Sequence, residues 1–179
     1  IRSRGQGGRS TLNDHQLETI QGLVAQVGYI DLIDVEVSVG DSSGLRGDEL
    51  EKRIDMIHGY GTKVILSYHD FWEMPKAEDV VRLIMKMYAD KADMCKVAAM
   101  ASSREDALGL LKATAYVTNK EIGPVVTIAM GEAGAITRIA GGKYGSVMTF
   151  AAVGKGSAPG QLQIDQLIAK LDEFYGAQA

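Results

Sequence analysis

Short runs rich in β-branched residues alternate along this chain with longer segments of helical period, which restricts the fold to βα units around a parallel sheet. The runs are DLIDVEV (31–37), KVILSYH (63–69), DMCKVAA (93–99), PVVTIAM (124–130) and SVMTFAA (146–152), with the end of a further strand at Ile1. Between them, Leu17, Ile20, Leu23, Val24 and Val27 recur at three- and four-residue steps behind an expected N-cap at Ser10 or Thr11. The pattern returns at Leu50, Ile54 and Ile57, at Val80, Val81, Ile84 and Met87, at Ala107, Leu110, Leu111 and Thr114, and at Ile164, Leu167, Ile168 and Leu171. A short helix is expected over 135–141. All of these apolar stripes read as core.

An open doubly wound sheet and most of an eight-stranded barrel both fit this order. The polarity of the first run favours the barrel. Ile33, Val35 and Val37 take one face of the strand while Asp34 and Glu36 take the other. A sheet covered by helices on both sides would be apolar on both faces. In a (β/α)8 barrel of the TIM type, a polar face can instead look inward near the catalytic mouth. The expectation is one α/β barrel domain over residues 1–179.

A formal net charge of -4 with scattered Lys and Arg leaves no basic stripe for nucleic acid. Cys95 is the only cysteine, which excludes an intramolecular disulfide and a Cys-x-x-Cys pair and favours a reducing, cytoplasmic setting. No run approaches the roughly 20 apolar residues of a membrane span. The opening IRSRGQGGRS reads as the end of a strand, so a fragment is expected.

Lys96 shares its strand face with Met94 and Ala98, an apolar setting that favours the neutral, nucleophilic amine. The competing account is a strand-edge lysine reaching water. His69 ends its strand, where a neutral imidazole is a candidate general base or a structural hydrogen-bonder. His15 and His58 fall on helices and read as solvated. Asp34 and Glu36 lie two residues apart on one face and are expected to support the lysine and histidine. A metal is not expected, because only His69 offers nitrogen there. Arg138 follows the turn MGEAGA, where a guanidinium either grips a carboxylate with two hydrogen bonds or lies on the surface. The loop GKGSAPGQ (154–161) suggests a lid or an anion-binding turn, and its spacing does not fit a dinucleotide site.

The stretches RSRGQGG, DLIDVEV, KVILSYHDF, MCKVAAM, PVVTIAMGEAGAITRIAGGKYGS and VMTFAAVGKGSAPGQ, in this order, resemble the type I 3-dehydroquinate dehydratase family over nearly the whole chain. The resemblance implies a TIM (β/α)8 barrel, here lacking the first two to three strands and so exposing sheet edges. It implies that Lys96 forms an imine with the ketone of 3-dehydroquinate. His69 then removes the adjacent carbon-bound proton and returns one to the departing hydroxyl, giving 3-dehydroshikimate and water in the shikimate pathway, with no cofactor. Arg138 and Gln161 would hold the substrate carboxylate, Ser157 would touch it from the lid, and Arg2 would reach the ring hydroxyls. Met130, Phe150 and Ala158 would line the pocket. A homodimer is a further implication.

One position departs from the family pattern. A glutamate that bonds the catalytic histidine is replaced here by Gln6, which can keep a hydrogen bond but supplies no charge, so a weaker base is expected. Two rival readings follow. One is a catalytically weak or silent relative that binds a quinate-like ligand in a regulatory role. The other is a class I aldolase-like barrel that applies imine chemistry to a sugar phosphate.

Overall fold

A computed structural model describes residues 10–39 and 44–176. Its strands are β1 (Leu32–Glu36), β2 (Lys63–Asp70), β3 (Met94–Met100) and β4 (Val125–Met130), hydrogen-bonded in the order β1-β2-β3-β4. β1 and β2 run parallel, with Leu32 opposite Lys63 and Glu36 opposite Ser67. These match four of the five runs expected to be strands. The chain divides into two compact units, residues 1–69 with 84–96 and residues 70–83 with 97–179. The division falls inside β3.

In the first unit, α1 (Asp14–Val27) starts from Asn13 rather than Ser10 or Thr11. The reason is reciprocal capping. Asn13 accepts from the Gln16 N–H and the Gln16 side chain accepts from the Asn13 N–H, whereas Asn13 and Asp14, three residues after Ser10 and Thr11, are neither Glu nor Gln. The buried face of α1 is also turned from the expected one. Leu23 and Val27 are exposed, while Leu17 and Ala25 are buried on either side of Gln21. Gln21 occupies the middle of that face because its amide donates to the Asp34 carbonyl (2.9 Å) and accepts from Arg53 (2.6 Å). A polar residue at its centre hid this face from a purely apolar count.

Helix α2 (Gly47–Gly59) buries Leu50, Ile54 and Ile57 as its spacing requires. His58, near its end, is half-buried instead of solvated, and Nε2 lies 2.8 Å from Asp93 Oδ2. The same carboxylate oxygen accepts the Val64 N–H at 2.8 Å. Helix α3 (Ala77–Ala89) begins in the second unit and ends in the first, where Ile84 and Met87 are buried. Burial pushes the Cys95 thiol up to about 12, so this cysteine is inert packing.

In the second unit, α4 (Arg104–Asn119) opens with a Ser103–Asp106 capping box and buries Ala107, Leu110, Leu111 and Thr114. Every residue of β4 is buried. After it come the single turn α5 (Thr137–Ala140) and a 3-10 turn at Gly141–Tyr144, where the short helix was expected. The run SVMTFAA does not form a strand. Its composition suits one, but it pairs only through isolated bridges, Ser146 with Val125 and Ala152 with Gln163, and its Val147, Met148 and Phe150 side chains are exposed. Helix α6 (Ile164–Tyr175) buries only Leu167, and Ile164 and Ile168 face outward, because an apolar stripe is covered only where another element packs on it. No helix among the described residues is long and apolar enough to cross a membrane.

Asp93 sets a pH dependence. Burial raises its carboxyl, but the Val64 N–H and His58 outweigh that and hold it below the ordinary carboxylate range. A lowered folded-state value adds stability that is present above the ordinary range and lost as pH falls through the lowered one. Asp93→Asn should therefore cost about 1 kcal/mol at pH 7, and the difference from wild type should shrink toward pH 3, as read by urea unfolding.

Candidate active site

Parallel register places the polar residues of the first unit together. Strand period sets Asp34 and Glu36 on one face of β1, and the Glu36–Ser67 pairing puts Ser67 and His69 on the same face of β2. Glu36 is buried and both its oxygens are used. Oε1 accepts the His69 N–H at 2.9 Å, and Oε2 lies 2.9 Å from His69 Nδ1 and from Ser67 Oγ. A carboxylate on Nδ1 fixes that nitrogen as the protonated one and leaves Nε2 as the basic atom.

Lys96 of β3 is 8% exposed, which removes the strand-edge account. Its surroundings are not apolar, however. Nζ lies 3.4 Å from Asp34 Oδ2, and Asp34 Oδ1 accepts the Ser67 hydroxyl at 2.7 Å. The strand pattern of β3 could not show this, because the carboxylate arrives from β1. Burial opposes charge on the amine, and the Asp34 carboxylate favours it. Ser67, fully buried between the two carboxylates, was overlooked in the sequence. The signal was there, since period two in KVILSYH puts it on the His69 face.

The second unit holds a separate group. Arg138, on α5, is 2% exposed and not a surface residue. Its Nη2 donates to the Pro159 carbonyl at 3.1 Å and Nη1 to the Phe150 carbonyl at 3.4 Å, while Nε is buried with no partner. No carboxylate among the described residues pairs with it, and burial holds the guanidinium below its ordinary value. A buried cation held only by carbonyls keeps its charge uncancelled.

Beside it, Gln161 Oε1 accepts the Ser157 N–H (2.7 Å) and hydroxyl (3.1 Å), and Nε2 donates to the Ala151 carbonyl (2.8 Å). Gly160 anchors this loop. Its φ is +68°, and a Cβ there would lie 2.4 Å from the Gly131 carbonyl oxygen. Met130 is fully buried, Ala158 half-buried and Phe150 exposed. Arg2 and Gln6 lie outside the described residues.

The first unit thus buries a lysine and an imidazole–carboxylate pair, and the second a guanidinium without an acidic partner among the described residues. The family described as type I 3-dehydroquinase matches residues 1–177, and the chain belongs to that family. It is 38% identical over 172 residues to the 3-dehydroquinate dehydratase of Listeria welshimeri, covering 96% of this chain and 66% of that protein. It is 37% identical over 175 residues to the enzyme of that name from Klebsiella pneumoniae, with the same coverage. The chain thus spans just under two thirds of the length of these relatives.

Among solved structures, 3-dehydroquinate dehydratase from Geobacillus kaustophilus superposes with a TM-score of 0.86 at 33% identity, over 99% of this chain and 67% of that one. The type I enzyme from Clostridium difficile, solved with covalently modified comenic acid, gives 0.84 at 32% identity, over 98% and 66%. The α/β fold with its parallel sheet and helices is that of the family's TIM-barrel structures.

The Glu36 contact yields a direct check. Glu36→Gln removes the negative charge beside Nδ1, and the pH at which His69 titrates should fall in histidine-labelled NMR spectra. An unchanged midpoint would mean that Glu36 does not stabilise the imidazolium.

Proposed function

We propose that this chain converts 3-dehydroquinate to 3-dehydroshikimate and water by Schiff-base catalysis. The observation that carries the reading is the buried Lys96 amine paired with Asp34, in a chain of the type I 3-dehydroquinase family. Lys96 condenses with the substrate ketone, releasing water and leaving an iminium. His69 Nε2 takes the proton from the adjacent carbon, and the freed electron pair passes to the iminium nitrogen as an enamine. The enamine then expels the β-hydroxyl, which leaves as water with the proton that His69 returns. Hydrolysis releases the product ketone and restores the amine.

Arg138 is proposed to take the substrate carboxylate, which its buried Nε and its lack of an acidic partner among the described residues favour. Gln161 and Ser157 are proposed to join it, and Met130, Phe150 and Ala158 to line the pocket. The single cysteine, inert and buried, agrees with a cytoplasmic setting.

Incubation with 3-dehydroquinate and sodium borohydride, followed by intact-mass spectrometry, tests the reading. Wild type should gain one reduced ligand and Lys96→Ala none. No adduct on folded wild type would leave the silent, ligand-binding relative as the better account, whereas an adduct with a sugar phosphate alone would favour the aldolase-like one. Arg138→Lys keeps a charge but loses the fork, and should raise KM about a hundredfold with a smaller effect on kcat, measured in steady-state assays.

A further inference from the structure

The turn that carries Arg138 is too short to hold itself. α5 spans four residues, Thr137–Ala140, and gives way at Gly141 to a 3-10 turn. A single helical turn leaves most of its backbone groups unmatched, so its aim is set by whatever anchors it from outside. Its front is anchored to β4. There the Thr137 hydroxyl accepts the Ala129 N–H at 3.0 Å while donating to the Gly134 carbonyl at 2.8 Å.

Its back is anchored by Tyr175, the last residue of α6. The phenol oxygen accepts the Lys143 N–H at 3.1 Å and donates to the Ile139 carbonyl at 3.1 Å. Ile139 and Lys143 are four residues apart, the spacing at which a continuous α-helix pairs a carbonyl with an N–H. The hydroxyl thus stands in the rung of the ladder where the α-helical path turns 3-10, as an inserted side chain does in a bent helix. Gly142 leaves room for it. A Cβ there would lie 2.8 Å from the hydroxyl oxygen but 3.6 Å, an ordinary contact, from the ring carbon that bears it. The Lys143 ammonium lies 5.5 Å from the centre of the Tyr175 ring and 4.8 Å from that of Phe174, and the two rings meet edge to face at 5.1 Å. These contacts seat the ring independently of its hydroxyl.

We propose that Tyr175 is a positioning residue for Arg138, its hydroxyl clamping the turn between the Ile139 carbonyl and the Lys143 N–H so that the guanidinium is aimed at the substrate carboxylate. The proposal rests on the reading of Arg138 as the carboxylate partner and deepens it. Arg138 lies between the two anchors, one residue before Ile139. The Phe150 and Pro159 carbonyls hold the tip of its side chain, and the clamp holds the backbone from which that side chain extends. A carboxylate that takes no part in the bond changes is gripped alike before and during reaction, so a loosened grip raises KM and spares kcat.

Steady-state kinetics on wild type, Tyr175→Phe, Gly142→Ala and the double variant test the clamp, with the fold of each checked by circular dichroism. Tyr175→Phe should raise KM for 3-dehydroquinate about fivefold, the scale of one net hydrogen bond, with kcat within about twofold of wild type. Gly142→Ala crowds the hydroxyl out and should raise KM to a similar degree, yet add nothing to Tyr175→Phe, where the clashing atom is gone. An unchanged KM in Tyr175→Phe, a loss confined to kcat, or additive effects of the two substitutions would overturn the clamp. Should Tyr175→Phe not fold, Gly142→Ala alone decides, and an unchanged KM there has the same force.

A second readout does not depend on turnover. The Nε–H resonance of Arg138 in arginine-labelled protein, assigned by its loss in Arg138→Lys, should move in Tyr175→Phe or Gly142→Ala. A moved resonance in a protein that neither turns over 3-dehydroquinate nor is trapped on it by borohydride sinks the dehydratase reading and leaves the clamp standing. An unmoved resonance in an active enzyme sinks the clamp alone.

Discussion

The interaction on which the rest depends is the Lys96–Asp34 pair on a buried sheet face. An ammonium cannot be buried alone, because the desolvation penalty is several kcal/mol for an unpaired ion. Once a carboxylate accompanies it, the sheet face has to carry polar groups in register. That demand explains why β1 alternates Asp34 and Glu36 with Ile33, Val35 and Val37, and why β2 turns Ser67 and His69 to the side of those carboxylates. The apolar side of β1, with Val35 1% exposed, provides the packing energy that the polar side does not.

The second unit solves a related problem in the opposite way. Arg138 is buried, yet its hydrogen bonds run to the neutral carbonyls of Phe150 and Pro159. Carbonyls satisfy N–H donors without cancelling charge, so the positive field is kept. Gly160 has a structural part in this. Only a residue without Cβ fits against Gly131 at that φ, and the close approach is what brings the Pro159 carbonyl to the guanidinium.

How much of this could be read from the sequence follows from where each signal resides. Strands β1 to β4 were legible because β-branched runs bounded by turns are a local property, and so were the stripes of α2 and α4. The run SVMTFAA looked the same locally but lacks a continuous partner, and partnership is not written in a strand's own composition. Gln21 failed for the same reason: its burial is decided by Arg53 and the Asp34 carbonyl, distant in sequence. At the site, Lys96 and His69 stood out by residue type. The pattern of β3 alone made the Lys96 surroundings look apolar, but the shared face of Asp34 and Glu36 on β1 pointed to the carboxylate that Asp34 supplies.

The expectation of a weaker base at Gln6 falls outside the described residues, but the geometry around the imidazole bears on its premise. The argument for a weakened base assumed that the imidazolium depends on a charge supplied from that position. Yet His69 Nδ1 already faces the Glu36 carboxylate at 2.9 Å, and the His69 backbone N–H binds the same group, so that ring and main chain are fixed by one anion. A buried carboxylate at contact distance stabilises an imidazolium. A carboxylate for the imidazole is thus built into β1 itself.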